Sequence, residues 1–149
     1  MPTLKLGDIV PDFEADTSEG PMKFHEWIDG SWAILFSHPA DYTPVCTTEL
    51  GRVQKLVPEF QKRGFKLTAL SCDVVESHKG WIEDIKAYNK LDAFSYPIIA
   101  DPDRSVATTY GMMDPDEVDG KGMPLTCRAV FVIGPDRYAL RKHLYRWTC

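Results

Sequence analysis

Four short strand-like stretches, at 33–36, 66–71, 97–100 and 129–133, the first and last of them apolar throughout, alternate with helix-patterned segments. That alternation constrains the fold more than any other feature. A run that is apolar throughout, such as Ala33-Ile34-Leu35-Phe36, must be covered on both faces and so belongs in the middle of a sheet. Strand, helix and strand in succession predict right-handed crossovers within one open sheet, with helices on its two faces. The expected class is α/β, a three-layer sandwich.

The first long helix carries Leu50, Val53, Leu56, Val57 and Phe60 at helical spacing. It should start near Cys46, end at Gly64 and kink at Pro58, since proline removes a backbone donor. A second helix places His78, Trp81, Ile82, Ile85 and Tyr88 on one side as packing residues, and a short third one spans 105–110 before Gly111. Turn signals at Gly7-Asp8, Pro11-Asp12 and Glu19-Gly20-Pro21 predict an N-terminal hairpin. Residues 114–120 read as a turn within a long acidic loop; a calcium loop would need a glutamate where Leu125 stands. Gly134-Pro135-Asp136 turns the last apolar strand into a hairpin partner ending near Tyr145.

With 149 residues the chain fits one domain, which buries roughly two thirds of its unfolded surface. A net charge of −5 with no basic block excludes nucleic acid as a partner; Lys62-Arg63 and Arg141-Lys142-His143 are too short to change that. No apolar run approaches the roughly 20 residues of a transmembrane segment, and the N-terminus lacks the pattern of a signal peptide. The expected location is therefore the cytoplasm. Cys46, Cys72, Cys127 and Cys149 form no C-x-x-C pair, and His25, His38, His78 and His143 lack ligand spacing, so no metal and no cofactor is expected.

Cys46 falls between the strand at 33–36 and the first long helix, in Pro39-Ala40-Asp41-Tyr42-Thr43-Pro44-Val45-Cys46-Thr47-Thr48-Glu49. Only the thiolate of a cysteine is a good nucleophile, and it forms where local potential is positive. Unpaired N–H groups and the summed peptide dipoles provide such potential at a helix N-terminus. Singly, Thr43 and Pro44 are ordinary helix-start residues and Arg128 an ordinary strand end; together with Pro39 and Cys46 they form a pattern. The spacing P-x-x-x-T-x-x-C resembles the active-site signature of the peroxiredoxins, thiol peroxidases of thioredoxin-like fold. Phe36-Ser37-His38-Pro39 and Thr43 to Leu50 are similar to the one-cysteine subfamily, and the resemblance runs from about Leu4 to Asp136.

The resemblance implies a thioredoxin-like three-layer α/β sandwich with an N-terminal hairpin and peroxiredoxin-type additions. It implies that Cys46 is the peroxidatic nucleophile, that Thr43 holds the peroxide, that Pro39 shields the sulfur, and that Arg128 favours the thiolate and the breaking O–O bond. His38 would hydrogen-bond the sulfur or its oxidised forms. The implied function is reduction of hydrogen peroxide and organic or lipid hydroperoxides, with an external thiol such as glutathione, together with glutathione transferase, restoring Cys46. A homodimer is expected by the same analogy. Cys72 and Cys127 read as structural and Cys149 as a bystander.

Residues 1–136 are expected to form the core and 137–149 a divergent end, without the C-terminal dimerisation domain of the subfamily. Without the subfamily's further helix, apolar surface on strands such as 33–36 should be exposed, which makes a non-catalytic truncated subunit or an oxidation sensor the alternative reading. A less favoured alternative is calcium-independent phospholipase A2 activity through Ser31, His25 and Asp136. The run Asp29-Gly30-Ser31-Trp32-Ala33 lacks the paired glycines of a nucleophile elbow.

Overall fold

Residues 4–136 and 140–146 are described by a computed structural model of the chain. The first hairpin is β1 (Glu14–Thr17) with β2 (Gly20–Lys23), followed by α1 (Phe24–Ile28) and β3 (Trp32–Ser37). Then come α2 (Pro44–Lys62), β4 (Phe65–Ser71), α3 (Val75–Asn89), β5 (Ile98–Ala100) and α4 (Ser105–Tyr110). The chain continues through β6 (Met113–Val118), β7 (Pro124–Thr126), β8 (Arg128–Ile133) and β9 (Leu140–Arg146).

Seven strands form one sheet in the order β2-β1-β5-β4-β3-β8-β9. The pairs β3–β4 and β4–β5 are parallel, as helical crossovers require, and β8 closes antiparallel on β3 with Phe36 opposite Val130. Strand side chains alternate between faces. Ala33, Leu35, Leu70, Ile99 and Phe131 therefore pack with α1 and α4 around Phe24, Ile28 and Tyr110, while Leu67, Ala69 and Ile98 pack with α2 and α3 around Leu50, Trp81 and Ile85. These are the three expected layers.

Several element expectations are met closely, including the hairpin at the start, α4 and its Gly111 cap, and β9 as partner of β8. α2 begins two residues before Cys46 and continues through Pro58. Tyr88 departs from expectation: its side chain is 70% exposed, because the packed face of α3 is carried by His78, Trp81 and Ile85. The acidic stretch is not a simple loop either. β6 pairs antiparallel with β7 across an irregular register between Asp114 and Val118, and Asp119 closes the turn by accepting from the Lys121 and Met123 amides. A bulged, solvated ladder needs no apolar alternation, so no hydrophobic period marks it.

Beside α2, a groove of about 350 Å³ is lined by Ile34, Phe36, Val53, Leu56, Phe60 and Val130. Ile34 and Phe36 are half-buried there, so the expected apolar surface on β3 is partly covered by α2.

Candidate active site

The chain leaves β3 at Ser37 and turns through 38–43 before entering α2. Thr43 is the N-cap residue in extended conformation and Pro44 takes the first helical position, where its missing N–H costs nothing. Cys46 thus lies in the first turn of a 19-residue helix and is fully buried. The Thr43 hydroxyl donates to the Ala40 carbonyl at 3.1 Å rather than capping the helix, which closes the turn at 40–43, directly after buried Pro39.

Arg128, the first residue of β8, reaches this turn from across the sheet. Its Nη2 donates to Cys46 Sγ at 3.0 Å, and Nη1 lies 2.5 Å from Glu49 Oε2. Cys46 and Glu49 are three positions apart on α2, so one helical turn presents both partners to the guanidinium fork. The start of β8 is pinned independently. Ser37 Oγ donates to the Cys127 carbonyl at 2.6 Å and accepts from the Ala129 amide at 3.1 Å, while Thr126 Oγ1 donates to the His38 carbonyl at 2.6 Å. A cation and a helix N-terminus at one sulfur both favour its anionic form.

Beneath the loop lies a buried polar network. Asp41 Oδ1 is 2.8 Å from His38 Nε2, and Asp41 Oδ2 is 2.6 Å from His78 Nδ1 and 2.9 Å from Ser77 Oγ. His78 Nε2 faces the Ile99 carbonyl at 3.0 Å. Burial pushes the Asp41 carboxyl up, but hydrogen bonds from His38 and His78 outweigh it and hold the group well below the usual carboxylate range. His78, expected to be a packing residue, is buried but fully engaged in polar contacts. His38, Asp41 and Asp73 each bring a ligand atom within 4.8 Å of one another. Asp73 Oδ2 already accepts from the Asp41 amide and from Ser71 Oγ, so its position is set by hydrogen bonds within the loop.

α2 is locked onto α3 next to Cys46. Trp81 Nε1 donates to Thr47 Oγ1 at 2.9 Å, and Asn89 Nδ2 donates to the Thr47 carbonyl at 3.1 Å. Tyr42 has φ +63° and rests its hydroxyl where a Cβ on Gly80 would come within 2.4 Å, so a larger residue on α3 there makes the exposed Tyr42 ring shift.

Of the sequence-derived set, Thr43, Cys46 and Arg128 meet at the first turn of α2, while Pro39 and His38 are buried in the loop that leads to it. Glu49, Asp41 and His78 complete the site without a site role having been assigned to them from the sequence, His78 having been expected only to pack. Of these, only Glu49 had a sequence signal, its helical offset from Cys46. The other proposed set does not form an elbow. Ser31 lies between α1 and β3, a helix-to-strand passage, whereas a nucleophile elbow is a strand-to-helix turn. His25 Nε2 faces the Val10 carbonyl at 2.8 Å, and Asp136 is exposed at the end of the β8 turn. Burial pushes the Cys72 thiol up to about 11 and the Cys127 thiol up as well, consistent with inert structural cysteines. Cys149 lies outside the described residues.

A family model described as the AhpC/TSA family matches residues 6–139. This chain belongs to the AhpC/TSA family. Within the family it is 55% identical to peroxiredoxin-6 of Gallus gallus over 151 residues, which covers 99% of this chain and 67% of that protein. A crystal structure of a cysteine-to-serine mutant of peroxiredoxin 6 from Arenicola marina superposes with a TM-score of 0.92 at 54% identity, covering 96% of this chain and 65% of that one. A yeast mitochondrial 1-Cys peroxiredoxin, studied for thiol resolution through glutathione and thioredoxin systems, gives 0.89 at 42% identity, covering 97% and 68%. The chain thus spans about two thirds of the length of the relatives it matches. The thioredoxin-like sandwich expected from the sequence is the fold of these AhpC/TSA proteins. Among the described residues, no helix is long and apolar enough to cross a membrane.

Proposed function

We propose that the chain is a thiol peroxidase of the one-cysteine peroxiredoxin type. The observation that carries this reading is the 3.0 Å contact between Arg128 Nη2 and Cys46 Sγ in the first turn of α2. The Cys46 thiolate attacks the terminal oxygen of a hydroperoxide ROOH. The S–O bond forms as O–O breaks, sulfur is oxidised by two electrons, and the RO group leaves as ROH after taking a proton. Arg128 offsets negative charge on the sulfur and then on the separating oxygens. Thr43, at the N-cap of α2, holds the peroxide by its hydroxyl, and buried Pro39 keeps water from the sulfur.

The sulfenic acid left on Cys46 is reduced by an external thiol, for which glutathione is the first candidate because the yeast relative is resolved through glutathione and thioredoxin systems. Substrates are hydrogen peroxide and small organic or lipid hydroperoxides.

The test is to treat reduced protein with less than one equivalent of hydrogen peroxide and to locate the oxidised residue by peptide mass spectrometry. Rapid, selective oxidation of Cys46 is expected. Slow oxidation spread over all cysteines would overturn the reading and favour a non-catalytic subunit.

A further inference from the structure

The backbone ladder between β3 and β8 has its last pair at Phe36 and Val130. One residue further, a side chain takes over the pairing. Ser37 Oγ accepts from the Ala129 amide at 3.1 Å and donates to the Cys127 carbonyl at 2.6 Å, two backbone groups that flank Arg128 and would face a strand backbone if the ladder continued. Beyond them, Thr126 Oγ1 donates to the His38 carbonyl at 2.6 Å. The main chain itself departs here, because it must leave the sheet for the loop that carries Pro39 and Thr43; its last tie is the His38 amide on the Leu70 carbonyl of β4, at 3.0 Å. Two hydroxyls therefore bracket Arg128 across the gap that the departing chain opens.

Neither hydroxyl stands where a polar group comes cheaply. Ser37 follows Ala33 and Leu35 on one face of β3, both of them core residues, and Ser37 and Thr126 are themselves buried. Alanine would suit that face of β3, but it would leave a buried carbonyl and a buried amide on either side of Arg128 without the hydroxyl that joins them. What they hold matters for the sulfur. The guanidinium meets Cys46 Sγ at 3.0 Å at the end of a long side chain, so its reach depends on where the backbone at 128 starts, and a reacting constellation tolerates about 0.5 Å of play. Glu49 steers the far end of that side chain from α2. We propose that Ser37 and Thr126 are positioning residues for peroxide reduction, their hydroxyls standing in for a backbone ladder so that Arg128 is held at Cys46 while the chain turns into the active-site loop. This rests on the peroxidase reading above.

The test pairs the rate of Cys46 oxidation by hydrogen peroxide with guanidinium nitrogen spectra of the reduced, arginine-labelled full chain. In the wild type a held Arg128 should give separate Nη1 and Nη2 signals. Ser37→Ala and Thr126→Val should merge those signals and slow oxidation about 10-fold, whereas Thr126→Ser keeps the hydroxyl and should keep both the rate and the separate signals. Ile28→Val, in the core beside α1, serves as the control for lost stability and should move neither readout. Wild-type rates in Ser37→Ala and Thr126→Val, signals that stay separate in both, a slow Thr126→Ser, or an equal slowing in Ile28→Val would overturn the proposal. Should Ser37→Ala not fold, Thr126→Val against Thr126→Ser carries the test. If Cys46 of the wild type resists peroxide altogether, the peroxidase reading fails, while the reduced-state spectra still decide whether the two hydroxyls hold Arg128.

Discussion

Arg128 Nη2 and Cys46 Sγ are separated by 82 residues in sequence and by 3.0 Å in the fold. Two devices bring them together. The Ser37 hydroxyl stitches the start of β8 to the end of β3, and Glu49 holds the other arm of the guanidinium from the same helical turn as Cys46. Because each partner is fixed by its own element, the geometry is in place before a substrate arrives.

Replacing Arg128 with Lys keeps the charge but leaves a compact ammonium that cannot bridge sulfur and carboxylate together. The second-order rate of Cys46 oxidation by hydrogen peroxide should fall about 100-fold, the loss typical of removing one preorganised donor. Stopped-flow fluorescence reporting on Trp81, which packs beside Cys46, measures it. An undiminished rate would reject the role given to Arg128.

Glu49→Gln separates orientation from charge at the same place. The amide retains an oxygen for Arg128 Nη1 but loses the ionic partner, so the guanidinium should drift and the oxidation rate fall about 10-fold. Glu49 is part-exposed, and the melting temperature should hardly change. A large drop in stability with an unchanged rate would instead make the pair a structural clamp.

Much of this fold was legible in the sequence, and the reasons are specific. β3, β4, β5 and β8 are short apolar runs, and α2 and α3 carry a helical period, because each buries a face against the sheet. α1 went unnoticed because five residues give too short a period to read. β6 was hidden by its acidic composition and irregular register. In the site, Cys46, Thr43, Pro39 and Arg128 follow from a motif, whereas the Asp41–His78 contact spans 37 residues and arises only when α3 packs beneath the loop. No local pattern predicts such a pair.

Gly80 offers a test of how tightly that loop is held. A methyl group there would meet the Tyr42 hydroxyl at 2.4 Å, and the next Tyr42 atom lies at 3.7 Å. Gly80→Ala should therefore displace the exposed Tyr42 ring, and that cost should offset part of the roughly 1 kcal/mol that alanine gains over glycine inside a helix. Combining it with Tyr42→Phe removes the clashing atom and should release the full gain, a coupling that a double-mutant cycle by denaturant unfolding would read. Additive effects would mean that the clash is relieved elsewhere.

Asp41 should govern the acid side of stability. Its folded value lies below the unfolded one, about 3.9. Its contribution is therefore complete above the unfolded value and fades as pH falls through the folded one. Asp41→Asn should cost about 3 kcal/mol at neutral pH by breaking a buried charged network. Urea unfolding from pH 7 to pH 3 should show the wild-type advantage narrowing only below about pH 4. A gap that stays constant to pH 3 would show that the Asp41 charge is not what the network uses.

Cys72 should act in the opposite sense on the alkaline side. Burial is the largest influence on its thiol and pushes it up to about 11, against roughly 8.5 in an unfolded chain. For a group whose folded value is raised, the contribution is fully present below the unfolded value and is lost as pH rises through the folded one. The wild type should therefore lose about 3 kcal/mol from this group between about pH 8.5 and pH 11. Cys72→Ala lacks the titrating thiol, so its urea-unfolding stability should decline less steeply over the same range. Parallel declines in the two proteins would show that Cys72 is solvated well enough to ionise in the folded state.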